Sequence, residues 1–159
     1  MKEQFVILPE LPIVGVLKLG TRDGKSLSSI EVVKWQKPSE LSDFFKSCFT
    51  QLDQFLSGES KKISIKLDLS SLTSFQKSVL DQMKKIPYGK VASYRDLADK
   101  MESKAYQAIG SACGRNPFLL IYPCHRVVGS KDIGGFAHGL EMKRALLKLE
   151  GADVSELDG

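Results

Sequence analysis

Residues 118–128 have the sequence FLLIYPCHRVV, and the interpretation of the chain depends on this segment. The apolar run 118–121 predicts a buried strand, and Pro123 predicts a turn at its end. Cys124 and His125 would then lie side by side on a rigid turn. An adjacent imidazole lowers the pKa of a thiol and makes it a better nucleophile. The alternative is a structural cysteine in the core beside a surface histidine.

The composition indicates a small intracellular protein. A length of 159 residues with 42% apolar residues fits one domain, or two small units joined by a short linker. We expect no membrane span, because no run of 18 apolar residues occurs, and no signal peptide, because the N-terminus lacks the layout of one. The three cysteines, an odd number without paired spacing, predict a reduced protein with a free thiol. With only two histidines and no Cys-x-x-Cys, no metal site is expected.

Positive charge is concentrated in the second half of the chain. The net charge is +4, but residues 73–150 carry 13 basic and 7 acidic side chains. Such an excess suits a polyanionic partner such as nucleic acid, although many other domains carry one. Residues 152–159 contain three acidic residues and no basic one, and are predicted to be an acidic tail.

The first half, residues 1–70, is predicted to be an α/β scaffold domain. It shows no catalytic constellation. Periodicity predicts strands at 11–19, 28–35 and 63–69, and an amphipathic helix that starts at Pro38-Ser39 and ends near Leu56.

The second half, residues 73–151, is predicted to be a separate domain rich in helices. Two short helices joined by a tight turn, 93–101 and 103–113, match the outline of a helix-turn-helix. Capping boxes at Thr73–Gln76 and Ser93–Asp96 mark two of the helix starts. The remaining predicted elements are a helix over 73–86, a hairpin over 127–136 and a last helix over 140–150.

A set of linked motifs in this half is typical of one family. The motifs are Phe75-Gln76, Ile86-Pro87-Tyr88-Gly89-Lys90-Val91, Ser93-Tyr94, Ala108-Ile109-Gly110, Asn116-Pro117, Pro123-Cys124-His125-Arg126-Val127-Val128-Gly129, Gly134-Gly135-Phe136 and Leu149-Glu150-Gly151. In these motifs the chain resembles the O6-alkylguanine-DNA alkyltransferases, also called methylated-DNA–protein-cysteine methyltransferases. The resemblance is strong over 73–151 and general over the first 70 residues. It implies an α+β fold, with a ribonuclease H-like first domain and a winged helix-turn-helix-like second domain.

The resemblance implies a catalytic group of four residues. Cys124 would accept the alkyl group, and His125 would take the thiol proton through a water molecule. Glu150 would orient the imidazole, and Asn116 would brace the turn that carries Cys124. One observation from the residues alone supports Glu150: a carboxylate in the last turn of a helix opposes the helix dipole, and such exceptions often mark functional sites.

The resemblance also implies a substrate pocket. The Tyr94 hydroxyl would stabilise the departing guanine, and Phe136 and Ala137 would form a mobile wall of the alkyl pocket. His138 stands where small residues are usual, and we interpret it as a rim residue.

DNA contacts are implied at further positions, because the damaged base must leave the duplex to reach the thiol. Gln107 stands where the family has an intercalating arginine, and Tyr106 could intercalate instead. The DNA-binding residues implied by the resemblance are Gln76, Arg95, Ser103, Gln107 and Ser130.

The implied function is direct-reversal DNA repair: one alkyl group passes from guanine O6, or thymine O4, to Cys124, without turnover. The expected partner is double-stranded DNA bound through the minor groove. We expect a monomer without cofactor, in the cytoplasm and associated with the nucleoid or nucleus. The rival hypothesis is a non-enzymatic lesion-binding protein of the same fold. Such relatives lack the acceptor cysteine. A cysteine hydrolase is a weaker alternative, because its Cys and His are usually far apart in sequence.

Overall fold

The computed structural model describes residues 2–157, so the last two residues of the predicted acidic tail lie outside the described part. The chain forms two compact units that divide between Ser71 and Leu72. Both combine helices with a small sheet, which makes the protein α+β, as predicted. No helix within residues 2–157 has the length and apolar character needed to cross a membrane.

The first unit contains a three-stranded antiparallel sheet and one helix. The strands pair in the order β1-β2-β3, with Phe5 opposite Gly20 and Leu19 opposite Ile30. The sequence analysis missed β1, which has only four residues. The elements are β1 (Gln4–Ile7), β2 (Val16–Thr21), β3 (Ser29–Val33) and α1 (Asp43–Leu56).

Helix α1 begins four residues later than predicted. Its N-cap is Ser42, whose side chain accepts a hydrogen bond from the Phe45 backbone N–H. Ser39, the predicted start, is bound to Ile7 instead: its N–H donates to the Ile7 carbonyl and its hydroxyl accepts from the Ile7 N–H. A serine side chain that can cap a helix can also form hydrogen bonds with the backbone of a strand, and Ser39 does so with β1. The apolar face of α1 is buried as predicted.

The predicted strand over 63–69 is wrong. Only Leu67 makes a bridge, in parallel to Leu27, supported by hydrogen bonds from Leu27 N to Lys66 O and from Asp68 N to Leu27 O. The alternating apolar pattern reflects a segment that packs on one side. It lacks the row of backbone hydrogen bonds to a neighbouring strand that would make it a strand itself.

Within residues 72–157, the second unit contains four α-helices, a short 3-10 helix and a two-stranded sheet. Both predicted capping boxes are present, so the starts of α2 and α3 are confirmed. Helix α4 begins at Tyr106, three residues later than predicted, because Ser103 caps the preceding turn by accepting from Ala105 N. The elements are α2 (Ser74–Lys84), β4 (Ala92–Ser93), α3 (Tyr94–Lys100), α4 (Tyr106–Gly114), β5 (Val127–Val128) and α5 (Leu140–Glu150).

Residues 118–121 are buried as predicted, but they do not form a strand. They make a compact turn in which Leu120 has a φ of 76° and the Tyr122 N–H donates to the Phe118 carbonyl. An apolar run of four residues predicts burial and leaves the backbone conformation open. The predicted hairpin over 127–136 is also wrong: β5 pairs in parallel with β4, with Ala92 opposite Val127.

Candidate active site

Cys124 opens a short 3-10 helix, Cys124–Arg126, and its side chain lines a cavity of about 210 Å³. The Cys124 N–H donates to the Tyr122 carbonyl at 2.8 Å, which fixes the turn that presents the thiol. All residues that line the cavity belong to the second unit. They are Tyr94, Gly110, Cys113, Gly114, Asn116, Cys124, Gly135, Phe136, Ala137 and His138.

The environment of Cys124 keeps its thiol protonated. Burial raises the pKa of Cys124, and this effect outweighs the hydrogen bond from Asn116 and the charge of Lys143, which lower it. A thiol in this state is a weak nucleophile. The site therefore needs a group that removes the thiol proton.

Asn116 joins the two ends of the turn that precedes Cys124. Its side-chain amide donates to the Tyr122 carbonyl at 2.8 Å, and its side-chain oxygen accepts from the Phe118 N–H at 2.9 Å. Asn116 also lowers the pKa of the Cys124 thiol. One residue thus fixes the backbone of the turn and acts on the thiol that the turn presents.

His125 and Glu150 form a buried pair, with 2.6 Å between Nε2 and Oε2. Burial raises the pKa of Glu150, but hydrogen bonds from His125, Arg126 and the Gly89 N–H outweigh it and bring the pKa to about 2. Burial lowers the pKa of His125 by more than Glu150 raises it, so the imidazole is neutral at rest.

The protonation states follow from this pair. An ionised Glu150 can only accept, so Nε2 of His125 carries the proton and Nδ1 is an acceptor. Within residues 2–157, Nδ1 of His125 has no hydrogen-bond partner. It is therefore available to receive a proton, and the resulting imidazolium would lie against a carboxylate.

Arg126 is a partner of Glu150 that the sequence analysis did not single out. Its guanidinium binds both carboxylate oxygens, at 2.8 and 2.9 Å, and donates to the Ile86 carbonyl at 2.8 Å. Gly89 completes the group through its N–H, 3.0 Å from Oε1 of Glu150. A side chain at Gly89 is disfavoured, because its φ is 78° and a Cβ would lie 3.0 Å from the Glu150 carbonyl. The signal for Arg126 was its place beside Cys124 and His125 in the motif.

Aromatic residues form two sides of the cavity. Tyr94 is the first residue of α3, and burial raises the pKa of its hydroxyl, which therefore remains a hydrogen-bond donor at neutral pH. Phe136 meets His138 edge to face, with 5.6 Å between the ring centres. His138 is exposed and lines the cavity, in keeping with its interpretation as a rim residue.

The structure brings some of the predicted residues together and leaves others apart. Cys124, Asn116, Tyr94, Phe136 and Ala137 share the cavity, and His125 is bound to Glu150. Five other predicted residues do not line the cavity. Gln76 caps α2 and Ser103 caps the turn before α4, whereas Arg95, Gln107 and Ser130 are exposed.

Two further residues of the site went unnoticed in the sequence. Cys113, near the end of α4, is a second thiol in the cavity wall, and burial raises its pKa to about 12. Lys143 is fully buried in α5. No motif in the sequence distinguished either residue. Within residues 2–157, no group of three or more His, Cys, Asp or Glu is arranged to hold a metal ion.

Comparisons with known proteins agree on one family. The profile described as "6-O-methylguanine DNA methyltransferase, DNA binding domain" matches residues 74–152. A methylated-DNA–protein-cysteine methyltransferase of Methanosarcina acetivorans is 39% identical over 152 residues, which cover 90% of this chain and 96% of the relative. One of Sulfurisphaera tokodaii is 36% identical over 115 residues, which cover 72% and 73%.

Solved structures agree as well. OGT of Mycobacterium tuberculosis in complex with DNA has a TM-score of 0.77 at 32% identity and covers 91% of this chain and 92% of its own. The M. tuberculosis O6-methylguanine methyltransferase has a TM-score of 0.80 at 30% identity, with 99% and 96% covered. On these grounds the chain belongs to the methylated-DNA–protein-cysteine methyltransferase family.

Proposed function

We propose that this protein repairs DNA by moving one alkyl group, typically methyl, from guanine O6 to Sγ of Cys124. Thymine O4 would be a second substrate. The observation that carries the proposal is the arrangement around one thiol: Cys124 opens into a cavity, and the adjacent His125 has an available Nδ1 and an ionised Glu150 behind it. The names of the relatives support the same chemistry.

The reaction needs one proton transfer and one displacement. A water molecule would link the thiol to Nδ1 of His125 and carry the proton to the imidazole. The resulting imidazolium would be stabilised by Glu150, whose charge is held in place by Arg126. The thiolate then attacks the alkyl carbon, the carbon–O6 bond breaks, and a thioether forms on Cys124.

The leaving guanine needs stabilisation of negative charge as the bond to O6 breaks. Tyr94 is suited to this role, because its raised pKa keeps the hydroxyl protonated inside the cavity. The Phe136 ring would pack against the base and its alkyl group, and the backbone N–H of Ala137 would donate to O6.

The base must be extruded from the duplex, because the thiol lies inside the cavity. We propose that the α3–α4 pair binds double-stranded DNA through the minor groove. Gln107 would lie at the vacated position in the base stack. Gln76, Arg95, Ser103 and Ser130 would contact the DNA around it. The complex of M. tuberculosis OGT with DNA supports this type of partner.

The division of labour follows from where the reactive groups lie. Residues 73–151 would bind DNA and accept the alkyl group, residues 1–70 would be a scaffold, and 152–159 a short acidic tail. The protein would act as a monomer without cofactor, in the cytoplasm or at the nucleoid or nucleus, where its DNA substrate lies. It would react once, because nothing in this arrangement removes an alkyl group from a thioether.

Intact-mass measurement after incubation with a duplex containing O6-methylguanine tests the proposal. The expected result is about one added methyl per molecule, mapped to the peptide that contains Cys124. Cys124→Ser should take up none, and Cys48→Ser, a change in the first unit, should react like the wild type. Binding of the lesion without any mass change would favour the lesion-binding hypothesis. Methyl on Cys48 or Cys113, or repeated turnover, would contradict transfer to Cys124.

A further inference from the structure

Lys143 is a fully buried lysine inside the second unit. Its ammonium nitrogen donates to the Val127 carbonyl at 2.6 Å and to the Gly135 carbonyl at 2.9 Å. Lysine is almost never completely buried unless its charge has partners. Two backbone carbonyls are weaker partners than a carboxylate, so this charge has a cost that a methionine of similar length would avoid.

The two carbonyls belong to segments with different tasks. Val127 directly follows the 3-10 helix that begins with Cys124, and Gly135 lines the cavity beside Phe136. Lys143 therefore fixes the distance between the segment that carries the thiol and the opposite wall of the alkyl pocket. A shift in that distance would change the position of the alkyl carbon relative to Sγ, and transfer rates are sensitive to such changes.

The charge of Lys143 also acts on the thiol. Burial lowers the pKa of Lys143 to about 8, whereas electrostatic interactions with Cys124, Asp132 and Cys113 raise it. Conversely, Lys143 lowers the pKa of Cys124 and contributes to lowering that of His125. Within residues 2–157, Lys143 thus interacts with four titratable side chains, those of Cys113, Cys124, His125 and Asp132. The ammonium thus favours a thiolate on Cys124 and a neutral imidazole on His125.

We propose that Lys143 is the positioning residue of the alkyl-transfer site: its ammonium group fixes the pocket wall at Gly135 against the thiol-bearing segment at Val127, and its positive charge acts on the thiol. This role of Lys143 rests on the proposed alkyl-transfer function. The experiments measure the reactivity of the Cys124 thiol without DNA as well as alkyl transfer, so the role of Lys143 and the proposed function can fail separately.

The first experiment measures the pH dependence of Cys124 labelling by iodoacetamide, which reports the thiolate fraction without DNA. In Lys143→Met, which keeps the length of the side chain and removes the charge and the donors, labelling at pH 7 should be about tenfold slower than in the wild type. The difference should shrink above pH 8, where Lys143 of the wild type loses its charge. Lys148→Met, which removes the same charge from an exposed position of α5, should behave like the wild type.

The second readout is alkyl transfer from O6-methylguanine duplex, with hydrogen exchange of residues 134–138. In Lys143→Met, the rate of alkyl transfer should fall by a larger factor than the rate of iodoacetamide labelling, because the pocket wall is no longer fixed. Hydrogen exchange at residues 134–138 should become faster for the same reason. A purely structural role would slow labelling equally at every pH. An unchanged pH profile in a folded Lys143→Met would overturn the proposal even if the wild type transfers methyl groups as proposed.

A wild-type measurement decides the matter if Lys143→Met does not fold. The iodoacetamide labelling rate of wild-type Cys124 should rise about tenfold per pH unit below pH 8 and more slowly above it, because Lys143 loses its proton near pH 8 and its charge then no longer favours the thiolate. A rate that keeps rising about tenfold per unit through pH 8 would mean that the ammonium and the thiol do not interact, and would overturn the proposal.

Discussion

The interiors of the two units contain different kinds of polar group. Among the described residues 2–71 of the first unit, the buried polar side chains are the hydroxyl groups of Thr21, Ser26 and Ser28. In the second unit they are the ionisable side chains of His125, Arg126, Lys143 and Glu150. A buried hydroxyl needs only a local partner, as Thr21 has in the Ser26 carbonyl at 2.7 Å, whereas a buried charge needs several. The second unit therefore carries a desolvation cost that the first avoids, and its charged interior is where the proposed chemistry lies.

The largest expected effect is a loss of folding stability when a buried charge of the second unit is removed. Glu150→Gln leaves Arg126 buried without its anionic partner, and such a change typically costs about 3–5 kcal/mol. Asp68→Asn in the first unit breaks the partly exposed pair with Arg22, which lies at 3.1 Å, and should cost at most ~1 kcal/mol. Chemical denaturation of both variants measures the difference. Equal losses would mean that the buried charges do not distinguish the units.

The same buried pair should control the transfer rate. His125→Ala and Glu150→Gln should each slow methyl transfer by roughly 10²–10⁴-fold, the usual contribution of a general base. The double variant should be little slower than the slower single one, because residues that act as a unit are not additive. Single-turnover mass measurements give the rates, with the exposed Glu31→Gln of the first unit as control. Fully additive losses would rule out a shared relay.

Acid should destabilise the second unit more than the first, because Glu150 is buried, whereas Asp23, a first-unit carboxyl group whose pKa is also about 2, is exposed. The pKa of Glu150 is about 2 in the folded protein against an ordinary value of 4.5. A carboxyl group whose pKa is lower in the folded state adds stability above its unfolded pKa, and that stability is lost as pH falls from about 4.5 to 2. The loss should be on the order of 3 kcal/mol. Hydrogen exchange between pH 5 and 2 should show α5 opening before the first-unit sheet, and Glu150→Gln should remove the dependence. Simultaneous opening of both units in the wild type would contradict this.

Alkylation of Cys124 should lower stability by a smaller amount. A thioether loses the thiol proton as a donor and adds volume, and overpacking costs ~1–3 kcal/mol. A methyl group should give the lower end of that range, because the cavity next to Sγ takes up part of the volume. Thermal scans of the methylated and unmodified protein test this. A melting temperature that is unchanged or raised after methylation would show that the cavity accommodates the product without strain.

The smallest expected effect concerns Gln107, an exposed residue near the start of α4. If this residue supports base extrusion, an arginine there should speed repair of paired DNA and leave unpaired DNA nearly unchanged. It should also steepen the salt dependence of binding by about one phosphate contact. Gln54→Arg adds the same charge to an exposed position of α1 and serves as the matched control. Equal ratios of paired to unpaired rates in Gln107→Arg and the wild type would mean that charge at this position does not assist flipping.

Much of the helical structure could be predicted from the sequence, because its signals are local. The pairs Thr73–Gln76 and Ser93–Asp96 satisfy helix N-termini by themselves, and both helices start where predicted. The strands were less predictable. Residues 63–69 alternate like a strand, and 118–121 are apolar like one, yet neither segment has a neighbour that offers a ladder of hydrogen bonds. The pairing of β4 with β5 joins two-residue segments, which are too short to leave a periodic signal.

The site residues that belong to a sequence motif could be predicted, whereas those whose role depends only on packing could not. The motif residues Cys124 and Asn116 line one cavity, and His125 lies against Glu150. Lys143 was missed because its sequence context is that of any charged residue in an amphipathic helix. Its role depends on two carbonyl groups, at Val127 and Gly135, and no side chain at either position reveals them.

The two-residue pairing of β4 with β5 also bears on how the site comes into being. Tyr94 directly follows β4, and Cys124 lies three residues before β5. The pairing of the two strands therefore brings Tyr94 close to Cys124. The partners Ala92 and Val127 are far apart in sequence, and closing the intervening segment costs entropy before any contact offsets it. A peptide that contains the motif 118–128 would therefore carry the family signature without the pocket. The reactivity of the thiol belongs to the closed topology of the second unit and cannot be transplanted with the motif alone.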